Sequence, residues 1–322
     1  ATTRGKLMQQ QRGIALITIL MMVALATILA ATIAKQQRAT AHATGSLIQQ
    51  NQALLYAKSA EAFFSELLVD DANNAAQIDH LQETWAQPMP PFPVDGGVVM
   101  GRIEDQNSKF NLNSLLQGDG KSINPAAEAW LQRILQRVDA PIELTQALID
   151  WQDQDDELTG SMGAERSYYQ SLGQGYIAPN AAFHDVVSLS QVRGIDAALY
   201  QQLKPYMAAY SIEQKVNVNT ASAWLLASID PQLKISDIEN LITQRRGQLQ
   251  NWQDLNEFWQ TAPFDQVEPN IRNQMNSMLG VQSNTFISYV EIEFSGYSRY
   301  MQSQLQRQDK NIQVMSRSLA PF

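Results

Sequence analysis

Residues 14–34, IALITILMMVALATILAATIA, carry no charge, proline or glycine. At about 1.5 Å per residue a helix of this length measures about 31 Å, the thickness of a bilayer's hydrocarbon core. The stretch reads as a membrane anchor. Two weaker alternatives are a cleavable secretory signal and a buried core helix. The first would have a shorter apolar core, about 7 to 15 residues, ahead of a small-residue cleavage site. The second would show polar positions on one face. On the N-terminal side lie Arg4, Lys6 and Arg12, and on the other Lys35 and Arg38, a bias that favours a cytoplasmic N-terminus. Met8 is a possible start, which would leave Ala1 to Leu7 upstream of the protein proper.

Beyond the anchor a helix-favouring pattern continues without proline to about Leu68, with Leu47, Leu54, Tyr56, Phe63, Phe64 and Leu67 spaced near three, four and seven. One long helix is expected to leave the membrane and become amphipathic. Asp70 to Asp95 is polar, ends in Pro88, Pro90, Pro91 and Pro93, and reads as an extended connection. Gly97 to Asp105 has the pattern of a strand, and the far end supplies three more: Phe286 to Phe294, Tyr297 to Gln308 and Ile312 to Leu319. A half-buried meander needs a cover, and the N-terminal helix is the obvious one. The expected fold class is α+β, a long helix on an antiparallel sheet. Its first strand lies before residue 110 and the rest after 283.

Residues 109–283 between them read as a helical insertion containing a repeat. Lys109-Phe110-Asn111-Leu112-Asn113-Ser114 matches Lys215-Val216-Asn217-Val218-Asn219-Thr220, with Ser114 and Thr220 each placed to cap a helix downstream. Helices are expected over Ala223 to Ser228 and Ile235 to Arg245. Trp252, Phe258 and Trp259 read as core.

The net charge is −9, and residues 109–283 hold 20 acidic and 12 basic side chains, so nearly the whole excess sits in the insertion. Such a surface repels polyanions. There is no cysteine, which excludes disulfides and thiolate chemistry, and three scattered histidines argue against a zinc site. No Gly-x-Ser-x-Gly elbow and no phosphate-binding loop occurs. The densest cluster is Asp150-Trp151-Gln152-Asp153-Gln154-Asp155-Asp156-Glu157, followed by Gly160, Gly163 and Glu165. Alternating acids in a turn-rich segment can direct several oxygens at a hard cation such as calcium, which takes six to eight. The run does not fit an EF-hand, and a solvated acidic loop is an equal alternative. As acid/base catalysts, solvated carboxylates would be poor.

A short basic leader ending in glycine, then a membrane helix continuing into a soluble domain (QQQRG/IALITIL), resembles type IV pilin-like precursors. In that class a prepilin peptidase cuts after the glycine, here Gly13, so that Ile14 becomes a new, methylated N-terminus. Most members have glutamate five residues after the cut. Thr18 stands here, and its absence, with the large helical insertion and DWQDQDDE, resembles the K-type minor pseudopilins of type II secretion systems. The resemblance implies a leader over 1–13, a transmembrane helix over 14–34, a pilin-like domain built from 35–108 and 284–322, and an insertion over 109–283. It also implies a non-enzymatic role at the tip of the periplasmic pseudopilus, with the I- and J-type minor pseudopilins and the inner-membrane secretion platform as partners. There the protein would initiate pseudopilus assembly for export across the outer membrane. The same family carries a DW-x-D-x-D…GAE-type segment expected to bind calcium. That carries over to Asp153, Asp155 and Glu165 as ligands, with Asp156 and Glu157 as further candidates and Arg166 where an acid is frequent. The segment NVNTA in the second repeat also resembles helix-hairpin-helix modules, whose membrane-anchored DNA-binding function is the alternative. Asp230 to Ile235 replaces their glycine hairpin, and Val192-Arg193-Gly194-Ile195-Asp196 is a better candidate for one. A nucleic-acid partner is not expected.

Overall fold

The computed structural model describes residues 5–74, 77–173, 176–210, 214–294 and 296–322. The expected leader thus lies partly outside the described residues. Two compact units are present, Ala1–Tyr56 and Ala57–Phe322.

The first consists of helix α1, Gly5–Asn74, whose remaining turns belong to the second unit. Its apolar residues from Ile14 to Ile33 are exposed, and by length and composition the helix can cross a membrane. Three threonines interrupt the apolar run. Thr18 Oγ1 donates to the Ala15 carbonyl at 2.9 Å, Thr32 Oγ1 to Ile28 at 2.7 Å, and Thr27 Oγ1 to Val23. Each hydroxyl is satisfied within its own helix, as an apolar surrounding requires.

In the second unit, a five-stranded antiparallel sheet has the order β1-β2-β7-β8-β9: Met89–Val94, Gly97–Asp105, Thr285–Phe294, Tyr297–Gln308 and Asn311–Ser318. Strict alternation in β7 and β8 gives one buried face, with Phe286, Ser288, Val290, Ile292, Met301, Ser303 and Leu305. The last turns of α1 belong against this face, through a stripe that keeps Phe64 of the expected residues and is otherwise shifted. Ala57, Ala60, Glu61, Phe64 and Leu68 are buried, whereas Phe63 is exposed. On the sheet, Gly101 makes room for the Phe64 ring. At Gly101 an added Cβ would lie 2.7 Å from both the Phe64 ring and the Tyr289 carbonyl oxygen. The connection read over residues 70–95 also holds strand β1, which its three prolines disguise. They are tolerated because β1 is an edge strand.

Between β2 and β7 the described residues form eight α-helices, several short 3-10 turns and two short parallel pairings. The helices are α2 (Pro125–Arg137), α3 (Leu144–Asp150), α4 (Arg166–Ser171), α5 (Ala197–Leu203), α6 (Ala223–Ala227), α7 (Ile235–Gly247), α8 (Leu255–Gln260) and α9 (Pro269–Met275). The pairings are β3 (Phe110–Asn111) with β4 (Met207–Ala208) and β5 (Val216–Asn217) with β6 (Leu279–Gly280). One apolar cluster runs through both halves and includes Trp252, Phe258 and Trp259.

The repeat works through its asparagines. Asn111 and Asn217 each accept the amide two residues on, while Asn113 and Asn219 clasp the backbones of Phe183 and Trp252 respectively. The expected caps are corrected: Ser114 donates back to the Asn111 carbonyl and Thr220 Oγ1 donates to Asp105. Asn124 caps α2 and Ser222 caps α6. At the junction of sheet and insertion, Asp105 accepts from Thr220 and Ser283 hydroxyls at 2.5 and 2.6 Å, and Arg307 bridges Asp71 and Asp79.

Candidate metal centre

Helix α3 ends at Asp150, the chain turns through Asp153, and a loop returns to Glu165, the residue before α4. This brings one carboxylate oxygen from each of Asp150, Asp153 and Glu165 within 4.8 Å of one another. All three residues are buried, at 0 %, 5 % and 2 % exposure. Two oxygens each about 2.4 Å from a shared calcium lie at most about 4.8 Å apart, so the spacing admits such an ion.

The three differ in what else they do. Asp150 accepts from the Thr159 amide at 3.0 Å, which folds the loop back over the helix end. Gly163 makes room for it, since a Cβ there would lie 2.3 Å from Asp150 Oδ2. Asp153 Oδ1 and both oxygens of Glu165 are buried without a hydrogen-bond partner. Burial, reinforced by the neighbouring acids, pushes Asp153 up to about 7 and Glu165 up to about 8; burial likewise raises Asp150. Buried carboxylate oxygens without partners are costly, and an oxygen-only, triply acidic set is what a hard divalent cation satisfies.

The remaining candidates lie outside this cluster. Asp155, Asp156 and Glu157 are exposed. Asp155 accepts its neighbour's amide, Glu157 N, at 2.9 Å, and Asp156 lies 3.9 Å from Arg166 Nε. Asp150, by contrast, is the ligand candidate that alternation of acids passes over. It sits one helical turn before Asp153, a spacing that could have drawn attention to it.

The helix-hairpin-helix segment is built for a different purpose. Where such a module would offer turn amides to phosphate, Arg137 Nη2 reaches the carbonyls of Ala227, Asp230 and Leu233 at 2.5, 3.1 and 2.8 Å. That turn is fastened inward to α2.

Two sequence models described as "Type II secretion system (T2SS), protein K" match residues 108–211 and 216–282, the two halves of the insertion. Among proteins similar along nearly their whole length are type II secretion system protein K of Klebsiella pneumoniae, 32% identical with 96% of each chain covered, and that of Aeromonas hydrophila, 30% identical with 97% of each covered. A chain in the crystal structure of the GspK-GspI-GspJ complex from the enterotoxigenic Escherichia coli type 2 secretion system superposes with a TM-score of 0.77. It is 26% identical, and the match covers 87% of this chain and 99% of that one.

Proposed function

This chain belongs to the type II secretion system protein K family and is a minor pseudopilin, and from that premise we propose that it caps the pseudopilus with the I- and J-type minor pseudopilins. There it initiates filament assembly for protein export across the outer membrane, as a structural subunit and not an enzyme. The observation that carries the reading is the match to 99% of a chain from the crystal structure of the GspK-GspI-GspJ complex. In this reading α1 first anchors the precursor in the inner membrane, with the sheet and insertion in the periplasm. Prepilin peptidase then cuts between Gly13 and Ile14. Because the chain has no cysteine, single engineered cysteines report contacts cleanly. Cross-linking in cells should capture the I- and J-type subunits; recovery of neither would sink the proposal. Intact mass of the membrane-extracted protein would test the cut and methylation.

The cluster of Asp150, Asp153 and Glu165 is proposed as a calcium site. The ion would supply counter-charge and cross-link α3 to α4; the protein supplies three converging carboxylates. Calcium should raise the melting temperature of the full chain, and Asp153→Asn should abolish the rise. An equal response in the variant would remove Asp153 from the site.

A further inference from the structure

We propose that Arg193 is the positioning residue of the cation site, holding Glu165 where its carboxylate meets those of Asp150 and Asp153; this rests on the calcium reading. The Glu165 side chain has no support of its own. Both its carboxylate oxygens lack a hydrogen-bond partner, and it does not cap α4, so its place is set by the backbone on either side. Arg193 holds that segment at three points, one on its backbone and two on side chains just after Glu165. Its Nη1 donates to the Gly163 carbonyl at 2.8 Å, two residues before Glu165. Its amide donates to the Tyr169 hydroxyl at 3.2 Å, four residues after. Its guanidinium lies over the Tyr168 ring, 4.7 Å from the centroid.

What Arg193 is fixed to matters as much. The next residue, Gly194, has φ +81° and sits so close to α3 that a Cβ would lie 2.3 Å from Leu144 Cδ2. Helix α3 starts at Leu144 and ends at Asp150. The Val192–Ile195 turn therefore rests on the start of the helix that presents one ligand, and holds by hydrogen bond the loop that presents another. A planar guanidinium that donates and stacks together does this in a way an ammonium cannot. Residues that orient metal ligands from outside typically change affinity about 10- to 100-fold when replaced. This turn resembles a helix-hairpin-helix glycine hairpin in sequence, and its contacts give it a local task.

The test is calcium titration by calorimetry on the detergent-solubilised full chain, with melting temperatures in EDTA alongside. Arg193→Met and Arg193→Lys are expected to raise the calcium Kd about tenfold or more while leaving the EDTA melting temperature within a few degrees of the parent. Tyr168→Leu, which removes the stacking platform and leaves both hydrogen bonds of Arg193 possible, should raise Kd by a smaller factor and serves if both arginine variants fail to fold. Three results would overturn the inference while calcium still binds the parent and not Asp153→Asn. They are unchanged Kd in the variants, tighter binding in Arg193→Met (net charge repulsion instead of positioning), or a melting loss equal in EDTA and calcium with Kd unchanged. A parent chain that binds no calcium overturns the calcium reading itself, and the inference with it.

Discussion

Arg317, on the edge strand β9, donates through Nε and Nη2 to the two carboxylate oxygens of Glu61 on α1, at 2.8 Å each. Residues 256 apart thereby tie the last strand to the covering helix, and Ser303 adds a further donor. Burial alone would raise the Glu61 pKa, but Arg317 and Ser303 outweigh it and hold the group below its ordinary value. Its stabilisation is therefore complete above the unfolded carboxylate pKa and is lost as pH falls through the depressed folded value. Arg317→Ala should cost about 2 kcal/mol at neutral pH, less than for a fully buried pair because the guanidinium is half exposed. The penalty should shrink in acid. Denaturation midpoints at about pH 7 and about pH 3 check both, and a penalty that grows in acid would contradict the assignment.

Gly101→Ala is expected to destabilise by about 1–3 kcal/mol, since its methyl meets both the Phe64 ring and the Tyr289 carbonyl. Adding Phe64→Leu should recover only part, because the carbonyl cannot yield. Full recovery in the double variant, read from melting temperatures, would show that the backbone contact is slack.

Asp105 is buried with three donors, the Asn107 amide and the Thr220 and Ser283 hydroxyls, and burial pushes it up to about 7. A folded pKa above the unfolded one means the native state holds the proton more tightly, so this group's contribution is best in acid and declines as pH rises toward 7. Asp105→Asn keeps an oxygen for the Asn107 amide. It should flatten the decline between about pH 4 and pH 7.5 by up to about 4 kcal/mol. A slope identical to the parent would mean that another group titrates there.

Within the acidic run, Asp153→Asn and Glu165→Gln should each weaken calcium binding by more than about tenfold. Asp156→Asn and Glu157→Gln should leave it within about threefold, as their carboxylates are exposed and interact by long-range charge alone. Calorimetric titration of the four variants decides the order, and equal losses in all four would point to a diffuse acidic surface.

Thr18 bears on the proposed tip position. An incoming subunit's glutamate can pair with the free N-terminal amine of a neighbour, so a subunit lacking it need have none above. Thr18→Glu should let the chain enter the filament below the tip, seen as cross-links to major-subunit neighbours on both sides. Unchanged tip-only cross-links would count against pairing of charges as the cause.

The long apolar N-terminal helix, the three C-terminal strands and the paired asparagine motifs were readable in the sequence because each depends on neighbours a few residues away: unbroken apolarity, a period of two, a side chain turned onto its own backbone. Strand β1 escaped because its prolines remove the local signature while its edge position tolerates them. The stripe on α1 was only partly readable: Phe64 is buried as expected, because Gly101 leaves room for its ring, whereas Phe63 beside it is exposed and the small Ala57 and Ala60 are buried. For the proposed cation site the sequence supplied an excess of carboxylates, and the tertiary structure sorted them. Asp150, Asp153 and Glu165 are buried together because α3, the Gly163 loop and the Arg193 turn close on one another, while Asp155, Asp156 and Glu157 stay in water. Charge density is a property of the chain, but desolvation, which makes a carboxylate need a cation, arises only when distant segments exclude the solvent between them.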